Sequence, residues 1–436
     1  MAGFIATGLI FQSLYFFVDL YFVSRLGKDA IAGVSAAGNF NFLALAAAQM
    51  LSVGALSLIS QAVGRKDEAT ANLVFNQVVG MSVICFVGSL VAGYALAGIA
   101  TASLGADAGS SQAGRDYLYG FMPAIACAFP GAALGASLRA TGVVRPTMLL
   151  QSGSILLNVL LAPVLIAGWG TGHPLGAFGA GLASSIASLL SLVAIAAILP
   201  RIQGRLSLHA ALMSPRPHVW LDVLKVGLPA GGEFMLIFTF TAIIYWSIRR
   251  FGPAAQAGYG IGARIMQMLF LPVMAVSFAA APVAGQNFGA GQHRRLVETF
   301  RFSALIGGAL MLALTLFCQI RPDLLIGFFS KEPSVLAVGV QFLSTISWNF
   351  TAVGIIFACT GMFQGLGDTM PSFLSSASRI VTFMVPCILL SRVEGATLAD
   401  FWRLSIISAA LQAAVSLVLL RREFGRKLEV KEGLLF

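Results

Sequence analysis

Apolar stretches of about 20 residues or more follow one another along almost the whole chain, separated by short polar turns. Each is long enough to span the hydrocarbon core of a bilayer, which takes roughly 20 apolar residues. The pattern predicts twelve transmembrane helices. The first six lie near 1–24, 30–62, 70–103, 113–138, 146–168 and 176–199. The second six lie near 226–249, 255–287, 299–320, 334–364, 371–390 and 398–420. Between the sets runs a polar, basic stretch, PRIQGRLSLHAALMSPRPHVW, at 200–220. The expected class is an all-α polytopic membrane protein with a six-helix bundle at 1–200, a cytoplasmic linker at 201–225, a second bundle at 226–421 and a cytoplasmic tail at 422–436.

The two sets repeat each other at an offset of 225 residues. RLGKDAIAG at 25–33 matches RFGPAAQAG at 250–258 at five of nine positions. QAVGRKDEA at 61–69 matches QNFGAGQHR at 286–294 in its Gln and Gly. LRATGVVRPT at 138–147 matches FQGLGDTMPS at 363–372, pairing Gly142 with Gly367 and Pro146 with Pro371. Six helices per repeat bring both halves in from the same side, so a pseudo-two-fold along the membrane normal is expected. Repeats of this kind place a substrate site between halves that rock against each other.

Composition agrees with the pattern. Of 436 residues, 58% are hydrophobic and only 10% charged, against about a quarter charged in soluble proteins. Most of the 27 Lys and Arg residues fall on one side of the predicted spans, Arg379 being counted there. The positive-inside rule then puts both termini and the linker in the cytoplasm. The net charge of +10 is this topology signal, scattered over short loops, and does not point to nucleic acid. The five cysteines lie in apolar segments with no CxxC pair, and the four histidines lie in loops. With no HExxH, GxSxG or Walker-type loop, the chain does not read as an enzyme. No signal peptide is expected, because the start lacks a basic region and its first charge is Asp19.

Three ionisable residues are read as standing deep in the predicted spans: Asp19, Glu233 and Arg264. A charge at bilayer depth costs about 3 kcal/mol on insertion scales, so it normally faces protein or a wet cavity. Burial disfavours the ionised form of a carboxyl group, which lets it exchange a proton near neutral pH. Asp19, with Gln12 two turns earlier on its face, is either an ion site or an anchor near the outer interface. Glu233 follows Gly231 and Gly232, and is either a coupling acid or a partner for a helix N-terminus. Arg264 neutralises a carboxylate or serves cargo. Asn158, shortly before Pro163, either bonds a neighbouring helix or coordinates an ion. Phe238, Phe240 and Met266 offer an apolar lining for cargo, or face lipid and other helices.

At these motifs the chain resembles the multidrug and toxic compound extrusion (MATE) family. VDLYFVSRLGKDAIAGVSAA is similar to its first helix and turn, and LRATGVVRPT and FQGLGDTMPS to its helix 4–5 and 10–11 junctions. YGIGARIMQMLFLPVMAVSFAAAPVAGQNFGAGQ is similar to its helix-8 signature. The resemblance implies two six-helix bundles meeting as a V; each chain then holds a complete two-half pathway, so a functional monomer in a bacterial inner membrane is expected. It implies an antiporter that exports small, amphipathic, often cationic compounds in exchange for H⁺ or Na⁺, with no cofactor beyond that cation. The helix-1 acid carries over to Asp19, with Gln12 and Asn158 as neighbours, so Na⁺ would sit at Asp19 and Asn158. Two positions depart from the family's branches. Ala162 stands where one branch has an aspartate, and Glu233 lies a turn earlier than the helix-7 acid of another, whose helix-10 acid has no counterpart. Members usually carry a lead-in before helix 1, so the start here is expected to be truncated or mis-set. The alternative is a lipid-linked oligosaccharide flippase of related architecture. Channels and sugar transporters of the major facilitator kind fit less well, lacking a filter-like repeat and the helix-8 signature respectively.

Overall fold

The computed structural model describes residues 3, 22, 26, 28–104, 108–170, 172–201 and 206–428. Within these, every regular element is helical. The helices are α1 (Lys28–Gly64), α2 (Glu68–Leu104), α3 (Ala108–Ala140), α4 (Arg145–Ala167), α5 (Gly176–Ile198), α6 (Pro217–Ile248) and α7 (Pro253–Leu269). There follow α8 (Leu271–Gly289), α9 (His293–Ile320), α10 (Pro322–Gly327), α11 (Pro333–Ile346), α12 (Phe350–Leu366), α13 (Met370–Leu390) and α14 (Leu398–Lys427). Ten described helices are long and apolar enough to cross a membrane, and eleven if α7 and α8 count as one span. The first predicted span lies outside the described residues.

The repeat is written into the helix boundaries. Helices α1 and α8 end at Gly64 and Gly289, while α2 and α9 begin at Glu68 and His293. Helices α3 and α11 begin at Ala108 and Pro333, while α4 and α13 begin at Arg145 and Met370. Every pair is separated by the 225-residue offset seen in the sequence. The α3–α4 and α12–α13 turns share their chemistry: Gly142 and Gly367 adopt φ of 89° and 71°. Only glycine enters that left-handed region without steric cost, and Pro146 and Pro371 then start the next helix.

Two predicted spans are interrupted. The one expected near 255–287 is bent by 41° between α7 and α8. Pro272 in the first turn of α8 lacks an N–H and clashes with the preceding turn. The span near 334–364 contains a 3₁₀ turn, Ser347–Asn349. Side chains of α9 bind the carbonyls there, with Thr315 Oγ1 donating to Ser347 O at 2.8 Å.

The chain forms two compact units divided at Gly231 and Gly232, inside α6. In the first, α3 packs with α1, α2 and α5 around Tyr117, Leu118, Phe121, Ile125 and Ile166. Helix α6 starts at Pro217, nine residues before the expected 226. Its N-terminal half joins this unit through Val226 and Ala230 against Val53. In the second unit, α7, α9, α11, α13 and α14 surround a core that includes Tyr259, Met311, Phe342, Phe383 and Trp402.

The linker is fastened to α2. Asn72 Oδ1 accepts from Ser207 N (2.9 Å), and Asn76 accepts from His209 N while donating to Ser207 O, both at 2.8 Å. The Gln77 side chain donates to Leu212 O and Ser214 O and accepts from Arg216 N and Trp220 Nε1. At the α1–α2 turn, Asp67 Oδ1 accepts from Thr70 N at 3.0 Å, closing the first turn of α2. The Thr70 bonds, aided by Arg65, hold the Asp67 carboxyl below its ordinary range. Its contribution is therefore present above the unfolded carboxylate pKa and is lost as pH falls through the folded value. Asp67→Asn should lower the melting temperature near pH 7, and the difference from wild type should shrink as the pH falls below the ordinary carboxylate range, read by fluorescence-detected unfolding in detergent. A difference that stays the same size throughout acid titration would disprove this.

Candidate functional site

In the second unit, Glu233, Phe240 and Ser247 recur two turns apart, so they line one face of α6. That stripe runs parallel to the α13 face carrying Ser372, Ser376, Arg379, Phe383 and Cys387. Ser372 Oγ donates to both oxygens of Glu233 (3.3 and 3.1 Å), and Ser376 Oγ donates to Oε1 at 2.9 Å. Phe240 packs against Phe383 with centroids 4.8 Å apart. Ser247 and Cys387 are in contact at 2.8 Å.

Behind this seam the bonds converge on the carboxylate. Thr360 Oγ1 lies 3.0 Å from Ser372 Oγ, whose proton is directed at Glu233, so Thr360 is the donor. Gln412 Nε2 donates to Ser376 Oγ at 3.2 Å. Two chains of donors, from α12 and α14, thus end at one acceptor inside the span Pro217–Phe251. The described hydrogen-bond partners of Glu233 are hydroxyls, and it forms no ion pair with a described residue. In every one of these contacts the carboxylate is the acceptor. Gln412 Oε1 is buried with no partner, leaving one acceptor of the network unfilled.

The structure places the other predicted residues of this half apart from that seam. Arg264 lies exposed on α7. Phe238 is 51% exposed on a different face of α6, and Met266 is packed against the second-unit core. The cation beside the seam is instead Arg379, which the sequence reading counted among cytoplasmic loop charges. It stands in the third turn of α13, which begins at Met370, one residue from the predicted start, so Arg379 belongs to the span and not to a loop. The available signal was an arginine flanked by SFLSSAS and IVTFMVP, apolar or small on both sides. Its guanidinium lies 4.4 Å from the centre of the Phe240 ring.

In the first unit, Asn158 is 1% exposed on α4, and its Nδ2 donates to Ser184 Oγ on α5 at 3.1 Å. Its Oδ1 is buried with no partner. One turn on, Ala162 is fully buried, so no carboxylate joins Asn158 from that position. Gln12 and Asp19 lie outside the described residues. Among the described residues no three His, Cys, Asp or Glu side chains gather as a metal site.

Two helical units built on one repeat, each with partly unsatisfied polar groups in mid-span, define a multi-pass membrane transporter. The MatE family model matches 5–164 and 229–389, two blocks that reproduce the repeat. The chain therefore belongs to the MATE family of multidrug efflux transporters. It is 24% identical over 376 residues to an FAD transporter of Shewanella oneidensis, covering 84% of this chain and 81% of that one. It is 22% identical over 418 residues to the multidrug export protein MepA of Staphylococcus aureus, covering 95% and 91%. The fold matches a MOP superfamily transporter from Pyrococcus furiosus, described as having a binding pocket of reverse polarity, with a TM-score of 0.91, 20% identity and coverage of 98% and 95%. An outward-facing multidrug resistance MATE transporter aligns with the same TM-score, identity and coverage.

Proposed function

We propose that this protein is a cation-coupled antiporter that exports amphipathic organic compounds, often cationic, in exchange for H⁺ or Na⁺. It works as a monomer in a bacterial inner membrane with both termini cytoplasmic. The observation that carries the reading is Glu233, a mid-span carboxylate on which two chains of donors converge and which no described cation neutralises. A carboxylate so placed takes up a proton or Na⁺ from one side and gives it up on the other. Asp19, with Gln12 and Asn158, forms the second coupling site, and Asn158 Oδ1 supplies a neutral oxygen of the kind Na⁺ prefers. The Shewanella relative is named for an anionic cargo, which supports keeping the charge of the exported compounds open.

The test is efflux of ethidium from proteoliposomes under imposed Na⁺ or H⁺ gradients. Gradient-driven efflux should fall about ten-fold or more in Glu233→Gln, as removal of a buried coupling charge implies, and in Asp19→Asn. The gradient that drives the wild type identifies the ion. Efflux unchanged in Glu233→Gln would remove that acid from the mechanism, and no efflux by folded wild type under either gradient would overturn the reading.

A further inference from the structure

We propose that Arg379 is an anion-recognition site, and that the cargo includes amphipathic organic anions carrying a phosphate or carboxylate group. This deepens the antiporter reading and rests on it for the word cargo, but binding at the site is separable from transport. An arginine in the third turn of a membrane-spanning helix normally finds a carboxylate, since an uncompensated charge there is costly. The nearest candidate on this seam is Glu233, held instead by Ser372 and Ser376. Arg379 stands one turn beyond Ser376, about 4.5 Å further along the axis, and forms no ion pair with a described residue.

The guanidinium is nevertheless held in place. One face stacks on Phe240 at 4.4 Å, which packs on Phe383 in the core that also holds Tyr259. Tyr259 is itself fixed by stacking on Trp402 (centroids 5.8 Å apart, planes at 12°) and by edge contact with Phe342. Arg379 Nε is buried without a partner, and so is Trp402 Nε1. The Arg379 terminal nitrogens bond no described residue, and the side chain as a whole is half-buried. The result is an oriented planar fork of N–H donors, one face covered by Phe240 and its terminal nitrogens bonded to no described residue. That is the geometry that binds carboxylate or phosphate with two parallel hydrogen bonds. A purely structural arginine would be silenced by Glu233, and here the acid and the base on one seam are kept apart.

The experiment uses two fluorescent probes that differ by one phosphate, riboflavin 5′-phosphate and riboflavin, titrated into the purified full chain in detergent. Wild type should bind the phosphate ester about ten-fold more tightly, as a charge-assisted bidentate contact implies. Arg379→Gln should erase that preference while leaving riboflavin affinity unchanged, and Arg379→Lys should keep part of it. Equal affinity of wild type for both probes would overturn the proposal, as would an Arg379→Gln variant that weakens both alike. If Arg379→Gln is not monodisperse, the wild-type preference and its reduction in Arg379→Lys decide. Ethidium efflux separates the two claims. Efflux without phosphate preference removes this site and leaves the antiporter standing, whereas phosphate preference without efflux does the reverse.

Discussion

Replacing Gly181 with leucine is expected to abolish recovery of folded protein. Gly181, on α5, lies where α3 and α5 touch backbone to backbone. A Cβ there would meet Tyr117 O, and would stand 2.6 Å from Phe121 N and 2.8 Å from Gly120 C. These are main-chain atoms of α3 and cannot rotate away. One turn further along α5, Ser185 Oγ donates to Gly120 O at 2.6 Å and accepts from Ala124 N at 3.1 Å. It thereby bridges Gly120 and Ala124 of α3, on either side of Pro123. The carbonyl that Pro123 leaves without its usual donor, Tyr119 O, receives Tyr94 OH at 3.1 Å. Pushing α5 away loses this repair along with the packing. Overpacking costs about 1–3 kcal/mol, and two orphaned α3 groups add about 1–3 kcal/mol each. That total approaches the whole stability of an ordinary domain, about 5–15 kcal/mol. Size-exclusion of detergent-extracted Gly181→Leu should show little monodisperse protein, with Gly181→Ala intermediate. A Gly181→Leu peak and melting temperature equal to wild type would refute the close-contact argument.

The second large effect is expected at Gln77, which is fully buried on α2. Its amide uses both N–H donors and accepts two bonds: Ser214 O lies at 2.7 Å, Arg216 N at 2.9 Å and Trp220 Nε1 at 2.8 Å, with Leu212 O as the fourth partner. Leucine would fill similar volume and return none of these bonds. At about 1 kcal/mol net for each, the linker should detach locally before the helices melt. Chymotrypsin, cutting after Leu208 and Leu212, should then cleave Gln77→Leu at least about ten-fold faster than wild type, a ratio that only about 1.4 of the roughly 4 kcal/mol lost would produce. Equal cleavage rates would mean that Asn72 and Asn76 suffice to hold the segment.

Much of this was legible in the sequence because it depends on local chemistry. Apolar run length set the spans, and the Gly–Pro pairs at 142/146 and 367/371 set the turns that both repeats share. Glu233 was legible as a charge where none belongs. The linker was not: PRIQGRLSLHAALMSPRPHVW reads as a free polar tether, yet Asn72, Asn76 and Gln77 in an otherwise apolar helix bind it. Nor was the role of Arg379, which lies inside the predicted span 371–390 but whose stacking on Phe240 depends on how α6 and α13 pack. Gln12 and Asp19 lie outside the described residues, so the helix-1 site still rests on the resemblance.

The sequence by itself determined which segments enter the membrane, how they repeat and where they turn, since those follow from hydrophobic length and from the backbone limits of glycine and proline. Only the tertiary structure decided which polar side chains meet: Glu233 with Ser372 and Ser376, Arg379 with Phe240, Gln77 with the linker. In a bilayer nearly every face of a helix is apolar, so periodicity does not say which face turns inward. That choice, and the register that brings residue 233 beside residue 376, is set by side-chain packing and interhelical hydrogen bonds between distant parts of the chain.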